Sequence, residues 1–364
     1  MKTNQTENKR LEAVVKKHTE IFGKDLGSEL GSSFVNSFYQ QLYQSNPNPS
    51  PEEVEASGAN IFQSLARNTY GPLLCYFTDW MLKGYSKSGK NGKVLFLARD
   101  SIPLFNIAKI LIKNRDYQPL TSSNLGLIYY TRSLAGEADE IAGINQRNVN
   151  GKVSKYLMQE GLNQDALLVD MGMYGSLYCK GSGLFWDRKI NPALVFFYSK
   201  NPNILGFLNL VFGDYKGNMT QRQKDLSNIL VDGTECVNPQ KYWSPGELIE
   251  SDSKMIPELI EIKDQLVQRW HQASIKGYQE AAEKYIHNRS IDLHGELEKL
   301  QKLSDLAKQG IWTGVLPHIT PEWSLKNDFL NNTPRYKERT GKKGWNLGLA
   351  KPFGTKEIAF YTGE

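Results

Sequence analysis

The stretch KVLFLARDSIPLFNIAKILIKN, Lys93 to Asn114, decides the fold class of this chain. It begins with an uninterrupted apolar run, turns through Arg99, Asp100 and Ser101, and continues with apolar residues at helical spacing. An apolar run without polar alternation is typical of a strand that is buried on both faces, as strands of parallel sheets are. The stretch therefore predicts a strand, a loop and a helix of an α/β protein.

Three later apolar runs predict further strands of the same sheet. We expect these strands at Leu125–Tyr130, Ala166–Asp170 and Ala193–Tyr198, with a helix at Val153–Leu162 among them. Strands that alternate with helices form parallel sheets with helices on both faces. Residues 93–215 are thus predicted to form a doubly wound, mainly parallel, Rossmann-like α/β core that binds the ligand.

Helical regions are predicted on either side of this core. Residues 1–92 are expected to form an N-terminal helical segment, with one helix over about residues 51–68 and a second that begins at Gly71-Pro72. Proline fits the first turn of a helix, because the backbone nitrogen there has no hydrogen-bond partner within the helix.

The last part of the chain, residues 216–364, is predicted to be a helical and aromatic-rich region that packs on the core. Apolar positions at helical spacing predict a long helix from Pro257 onward. The Pro-bounded segment KYWSPGELIES, residues 241–251, is expected to be a packing loop or a lid.

Composition narrows the class of protein. The 364 residues carry 44 Lys and Arg against 39 Asp and Glu, which gives a net charge of +5. Because this charge is spread along the chain, it disfavours nucleic acid as a partner and allows a small phosphorylated molecule. The 3 cysteines are far apart, as is usual for a reducing compartment. No apolar run has the length of a membrane span or a signal peptide, so we expect a cytoplasmic protein without membrane contact.

Polar residues follow the predicted strands in three loops. The carboxyl ends of parallel strands share one edge of a sheet, and ligands of open α/β sheets bind at that edge. Arginines suit an anion, glycines and hydroxyls suit a phosphate, and carboxylates suit Mg²⁺ or a sugar hydroxyl. The predicted catalytic residues are Asp170, Asp100, Arg99 and Arg132, the predicted substrate-binding or phosphate-binding residues are Ser101, Ser133, Gly172, Tyr174, Gly175 and Ser176, and the predicted Mg²⁺ ligands are Asp170 and Asp100.

A structural interpretation fits the same residues. Gly172 and Gly175 after a strand are typical of a tight corner, and Arg99 with Asp100 can form an ion pair at the rim of a sheet. All histidines fall outside the predicted sheet and are expected to be solvated on the surface. The histidines are His18, His271, His287, His294 and His318.

The order of a strand, a polar loop and a helix, followed later by LLVDMGMYGS, is similar to phosphoribosyltransferases of the common type. The resemblance implies a phosphoribosyltransferase-like fold in which an early loop holds pyrophosphate and a later strand and turn hold ribose 5-phosphate. The family has two adjacent acids in the later motif, where this chain has Asp170-Met171. The resemblance would put Asp170 at the ribose hydroxyls and Gly172, Gly175 and Ser176 at the 5-phosphate. It would put Arg99, Asp100 and Ser101 beside the pyrophosphate.

The segments YGPLLCYFTDW, FLARDS, YYTRS and VDMGMYGS resemble, in this order, the motifs of haloacid-dehalogenase-like bacterial proteins found with surface-polysaccharide genes. In those proteins the first strand end reads FLxRDG, so Ser101 stands where glycine is usual. Phosphatases of the haloacid-dehalogenase type use a D-x-D pair of which one aspartate attacks phosphorus. This chain has Asp100 followed by Ser101 and Ile102.

The sequence leaves three functions open. The first is a transferase that binds a phosphorylated sugar-like or nucleotide-like substrate with Mg²⁺ and transfers a group in the manner of a phosphoribosyltransferase. The second is a phosphohydrolase in which Asp100 is the nucleophile. The third is an adaptor without catalytic activity that retained the fold and binds a protein partner.

Overall fold

The structure is a computed structural model. It describes residues 66–98, 100–130, 146–172, 192–199, 206–212, 245–259, 265–288, 291–293 and 295–297, together with Thr220 and scattered positions between 53 and 63. At those scattered positions the backbone is helical, in agreement with the helix predicted over residues 51–68.

A parallel sheet of four strands forms the centre of the described chain. The strands are β1 (Val94–Leu97), β2 (Leu125–Ile128), β3 (Leu167–Asp170) and β4 (Ala193–Phe196). Their order in the sheet is β2–β1–β3–β4, with every pair parallel. The prediction of a parallel α/β sheet is confirmed, although β2 and β4 end two residues before their predicted ends.

Helices alternate with these strands along the chain, and further helices come before the first strand and after the last. In chain order the helices of the described residues are α1 (Gly71–Lys87), α2 (Ile102–Leu111), α3 (Gln146–Gln159), α4 (Phe207–Val211) and α5 (Gln265–Asn288). A π-helical turn, Ala66–Tyr70, leads into α1. Both α1 and α2 have proline in the first turn, where the missing N–H costs no hydrogen bond.

One face of the sheet is covered by α1, α2 and α5, so this layer combines helices from before the sheet, within it and after it. Side chains alternate along a strand, and every second residue therefore contributes to this face. The strand residues of this core are Val94, Phe96, Leu125, Leu167, Val169, Ala193 and Val195.

The opposite face of the sheet is covered by α3 and by a β-hairpin. The strand residues of this core are Leu95, Leu97, Ile128, Leu168, Leu194 and Phe196. Val153, Tyr156 and Leu157 of α3 pack on them. Because both faces are buried, every residue of β1, β3 and β4 is buried, which explains why these strands are apolar apart from Asp170 at the end of β3.

The hairpin corrects two predictions from the sequence. Its strands, β5 (Pro245–Ser251) and β6 (Lys254–Leu259), are antiparallel, so residues 245–251 form a strand instead of a packing loop. The predicted long helix does not begin at Pro257, which lies in β6; it begins at Gln265. Met255 explains the outcome, because its backbone N–H and C=O both bond the side-chain amide of Gln159 on α3 (2.9 and 3.4 Å) and fix β6 against that helix.

A buried carboxylate network joins the helices of the first face. Asp79 of α1, 5% exposed, accepts hydrogen bonds from the hydroxyls of Tyr117 (2.5 Å) and Tyr285 (2.7 Å). Lys83, one turn further along α1, donates to the same carboxylate at 2.9 Å. Burial raises the pKa of both tyrosines and is the largest single cause, and the carboxylate of Asp79 raises the pKa further. Both hydroxyls therefore stay protonated and act as donors.

Among the described residues, none of the helices combines the length and the apolar character needed to cross a membrane.

Candidate functional site

The strand order reverses at one place along the carboxyl edge of the sheet. From β1 the chain crosses to β2 on one side, and from β2 it returns past β1 to β3 on the other side. The strand that follows β1 therefore lies on one side of it, and the strand that follows β3 lies on the other side, which makes the ends of β1 and β3 the point where the strand order reverses. This is the point at which open α/β sheets bind their ligands; Asp100 follows β1 there, and Asp170 is the last residue of β3.

Asp170 is the last residue of β3 and is 9% exposed. It pairs in register with Phe196 of β4, and its carbonyl accepts the N–H of Phe197 at 3.0 Å. Because side chains alternate along the strand, Asp170 follows Leu168 on the face that α3 covers. A nearly buried carboxylate at the end of an apolar strand is held rigidly, as a ligand-binding group must be.

Asp100 and Ser101 lie between β1 and α2. Asp100 is partly exposed, whereas Ser101 is completely buried. The Ser101 hydroxyl donates to the carbonyl of Val169 at 3.4 Å, and its N–H donates to the carbonyl of Leu97 at 3.2 Å. Ser101 thus connects the end of β1 to the end of β3. The Ser101 hydroxyl therefore faces the sheet backbone, and its predicted contact with a phosphate stays a prediction.

Gly172 occupies a corner that only glycine fits. Its φ is +104°, a conformation that side chains rarely adopt, and a Cβ atom would lie 1.8 Å from the carbonyl oxygen of Tyr198. The side of Gly172 that lacks a side chain is therefore filled by the end of β4. The structural interpretation of this glycine, a tight corner, has a physical basis in these contacts.

Other predicted site residues lie outside the described part of the chain. They are Arg99, Arg132, Ser133, Tyr174, Gly175 and Ser176. The described members of the predicted site, Asp100, Ser101, Asp170 and Gly172, all lie at the ends of β1 and β3. The sequence therefore predicted correctly that these residues share one edge of the sheet.

Tyrosines border the same edge at the end of β2. The hydroxyl of Tyr156 on α3 accepts the backbone N–H of Tyr129 at 2.9 Å. Tyr130 is buried beside it in the core of the second face. Burial raises the pKa of Tyr130 and of Tyr156, so neither ionises near neutral pH and neither supplies a base.

One buried polar residue near the site was missed from the sequence. Asn209 of α4 is 5% exposed, and its side-chain amide bonds both the N–H and the C=O of Ser199, each at 3.0 Å. The signal that could have found it is a single asparagine within the apolar stretch GFLNLVF, residues 206–212, because a polar residue in such a stretch needs a buried partner.

Metal binding at this edge would depend on the two aspartates. No three His, Cys, Asp or Glu side chains come together as a ligand set within the described ranges. Mg²⁺ is commonly held by one or two carboxylates together with phosphates of a substrate, and carboxylates are what Asp100 and Asp170 offer at this edge.

Comparisons with protein-family models and with curated protein sequences give no match to this chain.

Proposed function

We propose that this chain is an enzyme that binds a phosphorylated sugar-like or nucleotide-like substrate at the carboxyl edge of its sheet and transfers a group from it. One observation carries the proposal: Asp100, which follows β1, and Asp170, which ends β3, lie where the strand order of the sheet reverses. In the proposed site Asp170 binds the ribose or sugar hydroxyls. The corner that begins at Gly172 contacts the phosphate through its backbone.

The remaining roles follow from charge. Arg99 and Arg132 are proposed to stabilise the negative charge that develops on the leaving group, since guanidinium groups bind phosphate bidentately. Catalysis of this kind depends mainly on position and electrostatics. The backbone of Asp170 is held by its pairing with Phe196 of β4, and the residue before it, Val169, pairs with Phe96 of β1, which gives the rigidity that such a role requires.

Mg²⁺ is the proposed cofactor. Asp100 and Asp170 would hold the ion together with phosphate oxygens of the substrate. When bound, Mg²⁺ neutralises phosphate charge. The protein's own part is to keep one carboxylate partly exposed and the other nearly buried at the same edge of the sheet.

Thermal unfolding with ligands tests the proposal directly. We expect phosphoribosyl pyrophosphate, a sugar phosphate or a nucleotide to raise the Tm in the presence of Mg²⁺, because a ligand at a hundred times its Kd adds about 2.7 kcal/mol of stability. Asp170→Asn should abolish that shift. Asp165→Asn is the matched control, because Asp165 is exposed at the opposite, amino-terminal edge of the sheet.

The proposal fails if none of these ligands raises the Tm of the wild-type protein. It also fails for Asp170 if Asp170→Asn and Asp165→Asn show the same ligand-induced shift as the wild type.

A phosphohydrolase is the second candidate, and the partial exposure of Asp100 favours it, because a nucleophile has to reach the phosphorus atom. Phosphate release from a sugar phosphate that is lost in Asp100→Asn and survives in Asp170→Asn would select this function over the transferase.

A further inference from the structure

A buried asparagine fixes the chain just after β4. The side-chain amide of Asn209 uses its oxygen to accept the N–H of Ser199 and its nitrogen to donate to the C=O of the same residue. Both distances are 3.0 Å, and Asn209 is 5% exposed. In a buried environment such paired bonds are costly to break, because each leaves a main-chain group without a partner.

The neighbourhood of Asn209 is built around this contact. The N–H of Leu208 donates to the carbonyl of Phe197 at 2.9 Å, and Gly206 forms a parallel bridge with Phe196. A Cβ atom on Gly206 would lie 2.3 Å from the Asn209 side-chain oxygen. Gly206 therefore leaves the space that the amide occupies.

The contact continues from Ser199 to the proposed site. The residue before Ser199, Tyr198, donates its N–H to the carbonyl of Met171 at 3.3 Å, and its own carbonyl oxygen packs against Gly172. Phe197 donates to the carbonyl of Asp170 at 3.0 Å. Residues 197–198 thus hold the backbone of residues 170–172, and Asn209 holds the residue that follows them.

We propose that Asn209 is a positioning residue, which sets the Asp170–Gly172 corner through Ser199 and Tyr198 and thereby controls ligand affinity. The effect on affinity rests on the function proposed above. The effect on the corner itself does not, because it follows from the hydrogen bonds alone.

Asn209→Leu removes both bonds and keeps the branched shape of the side chain. Hydrogen–deuterium exchange should then become faster at the backbone of residues 167–172 and 193–199, and remain unchanged in β1 and α1. Binding of phosphoribosyl pyrophosphate with Mg²⁺ should weaken by about tenfold or more, as is typical when a supporting residue behind a binding group is lost.

Two further variants separate positioning from general stability. Gly206→Ala places a Cβ atom 2.3 Å from the Asn209 side-chain oxygen and 2.6 Å from the backbone nitrogen of Ser199, so it disturbs the same contact at both partners and should reproduce both effects. It supplies the test if Asn209→Leu does not fold. Tyr85→Phe removes a buried hydroxyl that donates to the carbonyl of Asp165, at the amino-terminal edge of the sheet. It should lower the Tm without changing exchange at residues 167–172 or the affinity of the folded protein.

The outcomes are distinguishable. Unchanged exchange at residues 167–172 in both Asn209→Leu and Gly206→Ala overturns the positioning role. Faster exchange with unchanged affinity overturns the part of it that concerns the ligand. A wild-type protein that does not bind the probe overturns the proposed function and leaves the exchange result to decide on Asn209.

Discussion

At the scale of single residues, the same amino acid has different roles at different positions. Gly89 and Gly172 both have positive φ, +73° and +104°. A Cβ on Gly89 would meet no atom within 4 Å, whereas one on Gly172 would collide with the carbonyl of Tyr198. Conformation alone favours glycine at the first position, and conformation together with packing requires it at the second.

Gly172→Ala is expected to destabilise the protein by at least about 2 kcal/mol, because the residue has to leave its backbone conformation and also displace Tyr198, just after β4. Gly89→Ala pays only the conformational cost of about 1 kcal/mol. Urea unfolding of both variants measures the difference. Equal losses in the two variants would show that the contact with Tyr198 contributes nothing.

His271 is buried, which corrects the expectation that every histidine is solvated on the surface. Burial lowers the pKa of His271 to about 4. Between pH 6.5 and that value the unfolded chain binds a proton that the folded chain does not, so stability rises with pH across this window.

The free energy of unfolding is therefore expected to be about 2 kcal/mol lower at pH 5 than at pH 7 because of this residue. Urea unfolding at the two pH values, compared with His271→Gln, isolates the contribution. His287→Gln on the same helix is the control, since His287 is exposed. If His271→Gln keeps the full pH dependence, other groups cause it.

At the scale of elements, the sequence predicted the buried strands correctly and missed the hairpin. The strands β1, β3 and β4 are buried on both faces, and an apolar run without alternation is the sequence pattern that such burial requires. The hairpin was missed because its turn, Asp252-Ser253, has positive φ without the glycine that usually marks it. Pro257 tolerates its place in β6 because Met255, two residues earlier, directs its backbone toward α3 and away from β5, so no ladder bond is lost at Pro257.

Contacts between distant elements were beyond sequence reasoning. Nothing in the composition of α1 or α5 pairs Asp79 with Tyr285, which are 206 positions apart. The two bonds of Asn209 are likewise visible only once β4 and α4 are placed. The sequence predicted the edge of the sheet on which the candidate site lies, because the carboxyl ends of parallel strands share one edge. It did not predict the contacts that support the site.

Tyr285→Phe should lower the free energy of unfolding by about 1.5–3 kcal/mol, the usual contribution of a hydrogen bond to a charged group. Tyr117→Phe should act on the same carboxylate, so the double variant is expected to deviate from additivity. Tyr76→Phe on α1 is the comparison, because Tyr76 is only half-buried and its ring packs on Phe207. Additive losses would contradict a shared network.

At the scale of the whole molecule, buried tyrosines set an alkaline limit to stability. Burial raises the pKa of Tyr85 to about 12, and it also raises the pKa of Tyr117, Tyr130, Tyr156, Tyr278 and Tyr285. These groups keep their protons in the folded state while the unfolded chain loses them above about pH 10. Their contribution to stability is complete below pH 10 and declines as the pH rises toward 12 and beyond.

We expect cooperative unfolding on alkaline titration above pH 10, accompanied by a step in tyrosinate absorbance. Circular dichroism and absorbance at each pH measure the two changes together. A smooth, reversible titration of all 18 tyrosines near pH 10 with the fold intact would contradict burial of these side chains.

The layer of α1, α2 and α5 has a consequence for synthesis of the chain. A ribosome delivers all four strands well before it delivers α5, whose Tyr285 completes the network at Asp79. Until residue 288 has emerged, one face of the sheet is without a helix that packs on both α1 and α2. Nascent chains that stop before this point expose apolar surface, so we expect chaperone demand to peak late in translation and to fall once the final turn of α5 docks.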